Sequence, residues 1–413
     1  MNCCEKSINL KMESPKVAKR KNDNSLHYIK YMGSKSKIID FVLNEIRASH
    51  NGGPICDLFA GSCTLAGYLR DDFDFISNDI QAYSSVLGKA FLIDYNNGKL
   101  PTSEDVIMNA THYYKSNYEA LVGKYSYEKV NDLFSFVETE NKNRTLIDKK
   151  LYADYHLFSK YYSGTWWTAE QCFWIDSLRK SIEDYKDTPT YNSLLCSLMY
   201  SMAYCSQGTG HFAQYREAKD EKSMSDIMIY RKRSINSYFT KKYQEAIQWM
   251  PNHPPKKNHI ILTEDYTDCL KRKELHGATI YADPPYCFVH YSRFYHALET
   301  IVRYDYPEIQ HIGGEMVKGR YRDDRHQSPF CIRSQVRDAF SKMFSLSSEN
   351  KCNLVLSYSN TGMITLDEII ELAEICSPGY FIGIQTMDHT HMTMGRKDDR
   401  SRDVKEALVS IKR

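Results

Sequence analysis

Short apolar segments alternate with helical patterns near the start of this chain, and that alternation restricts the fold more than any other feature. The first apolar segment, 54–60, breaks at Gly61, and the second, 73–79, ends at the acid Asp79. Helical patterns follow them over 64–69 and 83–93. Strand, helix, strand, helix is the order of elements in a parallel sheet. The N-terminal part therefore predicts an α/β fold.

The pattern changes in the middle of the chain and then returns. Between about Leu100 and Pro255, long amphipathic runs such as 104–122 and 168–185 replace the strand signals. Apolar strands reappear at 258–262, 278–282 and 351–359, followed by a helical pattern at 366–375 and final strands at 380–386 and 407–411. We therefore predict a flexible basic tail over 1–26, one α/β domain formed by 27–99 and 257–413, and a mainly helical insertion over 100–256.

Composition narrows the class of protein. The chain has 413 residues, 42% of them hydrophobic, and a net charge of only +2, so a nucleic-acid surface requires local clusters of lysine and arginine. Its twelve cysteines form no Cys-x-x-Cys pair and no zinc-ligand spacing. No stretch of about 18 apolar residues occurs. We expect a cytoplasmic protein with reduced thiols, no metal and no membrane partner.

The first chemical feature is the segment Asp57-Leu-Phe-Ala-Gly-Ser-Cys63 after the first strand. A glycine here allows a tight turn and the close approach of a ligand. The second strand ends in Asn78-Asp79-Ile80, about 20 residues on, where an acid can accept both ribose hydroxyls of an adenosine. An ordinary strand-to-helix turn explains either segment alone. Together they predict a nucleoside cofactor.

The second chemical feature is Asp283-Pro284-Pro285-Tyr286, directly after the apolar strand at 278–282. Two prolines end the strand and fix its backbone. The Asp283 carboxylate and the Pro284 carbonyl are then two fixed acceptors, which suit an amino group with two hydrogens, and Tyr286 adds a flat face for a base. The alternative is a proline-rich turn with an incidental acid.

In their order, these motifs resemble those of the amino-methylating DNA methyltransferases, in particular the Dam-like adenine methyltransferases of the alpha class. The resemblance covers roughly 27–99 and 257–413. Five segments carry it: Tyr31-Met32-Gly33-Ser34-Lys35, Asp57 to Gly61, Asn78-Asp79-Ile80, Thr263-Glu264-Asp265-Tyr266 and Asp283 to Tyr286. The stretches 210–214 and 294–300 are also similar to segments of some bacterial relatives. The family loop commonly has glycine where this chain has Cys63, whose Cβ is able to crowd the cofactor.

The resemblance implies a Rossmann-like class I methyltransferase sheet, mostly parallel with one antiparallel strand near the C-terminus, split by a helical target-recognition insertion. It implies transfer of a methyl group from S-adenosylmethionine to the N6 amine of a flipped adenine in a specific DNA sequence. The implied catalytic residues are Asp283, Pro284, Pro285 and Tyr286. The implied cofactor-binding residues are Tyr31, Gly33, Lys35, Asp57, Phe59, Ala60, Gly61, Asp79, Ile80, Asp265 and Tyr266.

Two basic clusters are candidates for the DNA surface. The insertion contains Arg231, Lys232 and Arg233, and a second cluster after the catalytic loop contains Arg320 and Arg322. Contacts to DNA phosphates explain both clusters, and so does an ordinary solvated surface. We expect a monomer whose partners are double-stranded DNA and, from the resemblance, a cognate restriction endonuclease acting on the same site.

Two alternatives remain open. The first alternative is the same methyl transfer to cytosine in DNA or to a base in RNA. Related cytosine enzymes often begin the catalytic motif with serine, and RNA or protein-glutamine enzymes more often begin it with asparagine. The aspartate of this chain favours adenine. The other alternative is a catalytically silent methyltransferase fold that only binds nucleic acid, which the intact segment from Asp283 to Tyr286 argues against.

Overall fold

The computed structural model of the chain describes residues 26, 28–29, 35, 38–207, 211–285, 288, 290–359, 362–392 and 401–413. Three predicted site residues, Tyr31, Gly33 and Tyr286, lie outside the described residues.

A seven-stranded sheet forms the centre of the fold, in the order β3-β2-β1-β4-β7-β9-β8. Strands β1 to β4 and β7 run parallel, whereas β9 pairs antiparallel with both β7 and β8. This confirms the predicted fold class, including its single antiparallel strand near the C-terminus. A separate two-stranded hairpin is formed by β5 and β6. The strands are β1 (Ile55–Asp57), β2 (Phe75–Asn78), β3 (His259–Leu262), β4 (Thr279–Ala282), β5 (His311–Ile312), β6 (Glu315–Met316), β7 (Asn353–Ser359), β8 (Phe381–Met392) and β9 (Ser401–Lys412).

Helices connect these strands and make up the middle of the chain. Between β2 and β3 the described elements are all helical. The α-helices are α1 (Ile39–Ser49), α2 (Thr64–Leu69), α3 (Ala82–Leu92), α4 (Ser103–Asn117), α5 (Glu119–Tyr125), α6 (Leu133–Arg144), α7 (Leu157–Tyr161), α8 (Ala169–Glu183), α9 (Tyr191–Cys205), α10 (Glu221–Arg231), α11 (Ile235–Trp249), α12 (Tyr266–Leu270), α13 (Ser292–Arg303), α14 (Val336–Glu349) and α15 (Leu366–Cys376). None of them is both long and apolar enough to cross a membrane.

Apolar side chains cover both faces of the sheet, because successive strand residues point to opposite sides. Ile55 of β1 joins the core that contains α1, α2, α3 and much of the helical middle. Its neighbour Cys56 joins the core that contains α12, α14 and α15. The helices of 100–256 therefore share an apolar core with the sheet, with Trp166 and Trp167 fully buried in it.

Candidate functional site

The carboxyl ends of β1, β2, β3 and β4 meet at one edge of the sheet, since these strands are parallel neighbours. A pocket with about 890 Å³ of empty space, including its open mouth, lies at this edge. Ligands of open α/β sheets bind at this kind of edge. The pocket is lined by Lys35, Leu58, Phe59, Asn78, Asp79, Ile80, Gln81, Glu264, Asp265, Tyr266, Asp283, Pro284, Pro285, His290, Tyr291, Ser292, His326, Ser328 and Pro329.

The turn after β1 is fixed by backbone hydrogen bonds to its two neighbouring strands. The Leu58 N–H donates to the Tyr281 carbonyl at 2.9 Å, and the Ala60 N–H donates to the Asn78 carbonyl at 2.9 Å. Gly61 has a φ of 51°, in the left-handed region where glycine carries no steric cost. Ala60 and Gly61 thus form a tight turn behind the pocket wall rather than lining it.

Asp79 is held in the pocket by two backbone hydrogen bonds. Its Oδ2 accepts the Gly61 N–H and its Oδ1 accepts the Gln81 N–H, each at 2.9 Å. Burial raises the pKa of Asp79 to about 6, although these backbone hydrogen bonds act to lower it. Each oxygen accepts one backbone hydrogen bond and has capacity for another. The arrangement matches a ligand that presents two adjacent hydroxyls.

Asp57 lies deeper, at the end of β1, and is only 3% exposed. Its Oδ1 is buried and has no hydrogen-bond partner among the residues that the structure describes. Burial raises its pKa well above the usual range, and the nearby Asp283 and Asp79 raise it further. A buried acceptor without a donor is uncommon and costs free energy. A cationic donor from a ligand would satisfy it.

Asn78 ties three strand ends together, a role that the sequence reasoning missed. Its side-chain amide donates to the carbonyls of Leu58 and Glu264, each at 3.2 Å, and its Oδ1 accepts the Glu264 N–H at 3.2 Å. The side chain therefore links the turns after β1 and β3 to the end of β2. A buried amide directly before the acid of the ribose motif is the signal that could have indicated it.

Lys35 and Glu406 form a charged network with the predicted catalytic acid. The Lys35 ammonium lies 3.2 Å from Asp283 Oδ1 and also contacts Glu406, whose side chain is fully buried. Ser357 Oγ donates to Glu406 Oε1 at 2.7 Å. Burial lowers the pKa of Lys35, but Asp283, Tyr281 and Glu406 more than offset this and raise it. No motif pointed to Glu406, which reaches the site from β9.

Phe59 and Tyr266 line the pocket, and Phe330 packs against both of them. The Phe59 ring packs edge-on against Phe330 with centroids 5.5 Å apart, and Phe330 lies 5.1 Å from Tyr266. The Tyr266 hydroxyl donates to the Ala339 carbonyl at 3.3 Å. Asp265 lines the pocket, but its Oδ1 also caps α12 by accepting the Thr267 N–H at 2.9 Å. Phe330 was not predicted, because it comes from a distant turn.

Cys63 points away from the pocket. It has a φ of 56° at the start of α2, and its Sγ donates to the Ser84 carbonyl at 3.3 Å. Burial raises the pKa of the thiol to about 12. The side chain is therefore a small core group that does not line the pocket, and its effect on the cofactor stays a question for experiment.

The described residues of the two stretches at 210–214 and 294–300 bond to each other. The Phe212 N–H donates to the Phe294 carbonyl at 2.7 Å, and His296 Nε2 bonds the Phe212 carbonyl at 2.9 Å. Burial lowers the pKa of His296 to about 3, so the ring is neutral. Glu299 accepts the Tyr83 N–H at 3.1 Å at the start of α3. These contacts hold α13 against the ribose motif.

Two of the predicted DNA contacts need correction, because their side chains do not face solvent. Arg231 donates through Nε and Nη2 to Glu140 at 2.8 and 2.9 Å, and its side chain is fully buried. Arg322 is 1% exposed and donates to Asp305 and Asp324. A buried guanidinium that is neutralised by carboxylates is a structural element, so neither side chain is available to DNA.

The other predicted DNA contacts have different surroundings. Lys232 is exposed. Arg233 is half-buried, donates to the Tyr204 carbonyl and stacks over the Tyr230 ring at 4.4 Å. Arg320 is half-buried beside the β5–β6 hairpin. Their role at DNA stays a prediction.

Comparison with known sequences identifies the family to which this architecture belongs. The profile of the D12 class N6 adenine-specific DNA methyltransferases matches residues 31–350. The chain belongs to this family. The match includes every predicted site residue, from Tyr31 to Arg322.

Curated relatives of this D12 class chain include modification enzymes from several bacteria. Modification methylase LlaI of Lactococcus lactis subsp. lactis is 24% identical over 393 residues, covering 93% of this chain and 55% of the relative. Type II methyltransferase M.FokI of Planomicrobium okeanokoites is 24% identical over 354 residues, covering 83% of this chain and 46% of the relative. Type II methyltransferase M.NlaIII of Neisseria lactamica is 23% identical over 358 residues, covering 83% and 87%. The chain thus spans about half the length of the first two.

Proposed function

We propose that this chain transfers a methyl group from S-adenosylmethionine to the N6 amine of adenine in a specific sequence of double-stranded DNA. The observation that carries the proposal is that Asp79 and Asp283 line one pocket at the ends of two parallel strands, with the buried Asp57 at the end of the strand between them. Two of these acids suit a nucleoside cofactor and the third suits the amine that receives the methyl group. Membership of the D12 class supports the same reaction.

The pocket residues fit S-adenosylmethionine, which would supply an electrophilic methyl group on a sulfonium. Asp79 would accept the two ribose hydroxyls, because both of its oxygens are held by backbone N–H groups and keep capacity for further hydrogen bonds. Asp57 would face the ammonium of the amino-acid end, which would satisfy its unpartnered Oδ1. Phe59, Tyr266 and Ile80 would pack against the cofactor, and Asp265 would face its adenine.

Asp283 and Pro284 would position the target amine. The amine of adenine is a poor nucleophile because its lone pair is delocalised into the ring. Two fixed acceptors that bind its hydrogens would direct the lone pair and stabilise the positive charge that develops on nitrogen. Good orientation supplies up to roughly 7–11 kcal/mol. The Lys35 ammonium at 3.2 Å and the Cys331 thiol, which donates to the Pro285 carbonyl at 3.3 Å, hold this loop in position.

The adenine of a duplex must leave the base stack to reach this pocket, which costs a few kcal/mol. We propose that Tyr286 stacks on the flipped base and returns about 1–3 kcal/mol of that cost. The helical insertion over 100–256 would read the flanking sequence, since the acids at the strand ends are committed to the cofactor and the amine. The relatives are named modification methylases and type II methyltransferases, which supports a cognate endonuclease as partner.

The test is expression of the chain in a host without adenine methylation, followed by modified-base sequencing and nucleoside analysis of its DNA and RNA. We expect N6-methyladenine at one sequence in the DNA. The variant Asp283→Ala should abolish it while calorimetry shows unchanged cofactor affinity. Asp268→Ala, which removes an exposed carboxylate outside the pocket, is the matched control. Methylated cytosine, methylated RNA, or unmethylated DNA from a folded cofactor-bound protein would each refute the proposal.

A further inference from the structure

Two arginines lie beside the pocket at the wall formed by α13 and residues 325–329. Arg293 is the second residue of α13, next to the pocket-lining Ser292, and Arg325 directly precedes the pocket-lining His326. Both guanidinium groups lie over the ring of Tyr321, with distances of 5.1 and 5.7 Å to its centroid. The Ser292 hydroxyl donates to the His326 carbonyl, so the two segments are joined.

Neither arginine is neutralised by a carboxylate among the described residues. Arg322 differs from them, because it forms ion pairs with Asp305 and Asp324. Arg325 Nε and Nη1 are buried and have no hydrogen-bond partner within the described part of the chain. Burial lowers the pKa of Arg325 and the nearby Arg293 lowers it further, while Tyr321 and Asp323 act to raise it. Buried donors without acceptors are costly, so Arg325 suits a ligand with acceptor oxygens, while Arg293 Nη2 donates to the Tyr321 hydroxyl at 3.2 Å.

The surroundings favour an anion. Helix α13 starts without an acidic residue in its first turn and without a side-chain cap, and its N-terminus adds a partial positive charge. His290, which lines the pocket, has a pKa lowered by burial and by the neighbouring Arg325, His326 and Arg293. Positive groups therefore converge on this wall from two segments of the chain.

We propose that Arg293 and Arg325 together bind a backbone phosphate of the DNA strand that carries the target adenine. The inference rests on the proposed function, because it takes DNA as the substrate. A nucleotide that flips rotates about its own backbone, so its flanking phosphates stay at the pocket mouth while the base enters. Guanidinium groups match phosphate oxygens in geometry and charge. The pair would hold the strand at the point from which the adenine turns.

The test uses the full chain and a duplex of about 25 base pairs that contains the sequence methylated in the expression experiment. Arg293→Gln and Arg325→Gln should each weaken duplex binding about tenfold to hundredfold, as expected for hydrogen bonds to a charged group. The double variant should reduce the slope of log affinity against log salt by about one, the value for one phosphate contact. Arg337→Gln removes an exposed arginine that pairs with Glu368 on the far helices and should change neither quantity.

A scan with single methylphosphonates identifies the phosphate. Removing one charge next to the target adenine should weaken binding by the wild type but cause no further loss in the double variant Arg293→Gln/Arg325→Gln, because the two changes remove the same contact. Equal losses in both proteins would overturn the proposal. So would thermal stabilisation by inorganic phosphate together with no effect of any methylphosphonate, since the site would then hold a free anion.

Thermal unfolding separates a ligand site from a structural role. Arg325→Gln should unfold at an equal or higher temperature than the wild type, because it removes a half-buried cation that forms no ion pair within the described residues and that Arg293 repels. A lower unfolding temperature with wild-type duplex affinity would show that Arg325 serves the fold alone. If this inference is wrong, the host DNA should still be methylated. Unmethylated host DNA would instead refute the proposed function.

Discussion

Replacing Asp79 by asparagine should weaken S-adenosylmethionine binding and also change how that binding depends on pH. Both carboxylate oxygens accept a backbone N–H at 2.9 Å, and burial raises the pKa to about 6. The ionised form is the one that accepts two hydroxyls. Affinity should therefore be full well above pH 6 and fall as the pH drops through this value.

The size of the effect follows from the pKa of about 6. At pH 5 about one tenth of the carboxylate is ionised, so the wild-type dissociation constant should rise about tenfold relative to pH 8, or about 1.4 kcal/mol. Asp79→Asn should lose about 1.5–3 kcal/mol of affinity at pH 8, because it removes charge-assisted hydrogen bonds. The asparagine also turns its amide hydrogens toward the N–H of Gly61 or Gln81. Its affinity should show no step near pH 6 from this position.

The stability of the ligand-free protein should respond in the opposite direction. The folded-state pKa of Asp79 is raised from 3.8 to about 6, so its contribution to stability is present below pH 4 and is lost as the pH rises through 6.

Calorimetry between pH 5 and 8 measures the affinity for S-adenosylmethionine, and Asp72→Asn, which replaces an exposed acid, is the matched control. A wild-type affinity that stays flat across this range, or an Asp79→Asn affinity equal to wild type at pH 8, would contradict the ribose assignment.

Three further variants have defined outcomes. Arg231→Met should lower the free energy of unfolding by about 3–5 kcal/mol in denaturant titration, because it removes the closest cationic partner of the buried Glu140 and leaves Arg144, at 3.5 Å, as its remaining ion pair, whereas the exposed Lys232→Gln should not. Equal stability of the two would contradict the buried ion pair. Asn78→Ala should lower stability by about 1–3 kcal/mol and also weaken the cofactor, because it releases two strand ends; unchanged cofactor affinity would show that the turns hold without it. Cys63→Ser should leave the cofactor affinity measured by calorimetry within about twofold, since the side chain points into the core, and a tenfold loss would refute that orientation.

Apolar runs that end in glycine or an acid made the inner strands predictable. The predicted 258–262 and 278–282 became β3 and β4 within one residue, and the helix over 64–69 is α2. Where the strand residues are not mainly apolar, the predicted strand bounds were wrong. The outer strands β8 and β9 extend well beyond the predicted 380–386 and 407–411, because they pair with each other along their whole length.

The middle of the chain was predicted to be helical, but the ends of its helices were not predicted correctly. One amphipathic run was predicted over 104–122, whereas the structure ends α4 at Asn117 and starts α5 at Glu119. The break is at Tyr118, a fully buried residue with a φ of −124° whose ring stacks on Phe173 at 4.5 Å. Packing against α8 determines this bend, and helical periodicity contains no information about it.

Site residues were predictable where a short motif contains them and unpredictable where a distant segment supplies them. Asp57, Asp79 and Asp283 stand at the ends of apolar runs, and the carboxyl ends of parallel strands share one edge of a sheet, so the sequence alone brings these three acids together. Glu406 contacts Lys35 across 371 residues of sequence, and no local pattern marks that pairing. Long-range partners are set by sheet register and packing, which a single sequence does not display.

The arginines show the same limit of prediction from sequence. Whether an arginine is available to DNA depends on the acids that the fold brings next to it. Arg231 belongs to the densest basic stretch of the chain, yet Glu140, 91 residues away, neutralises it inside the core. Arg325 stands in a segment with several acids, yet no carboxylate in the described residues pairs with it. Local charge density therefore favoured Arg231, which the fold buries against Glu140, over Arg325, which we propose as a phosphate contact. Arg293 and Arg325, which form no ion pair within the described residues, are the first positions at which a phosphate contact should be sought.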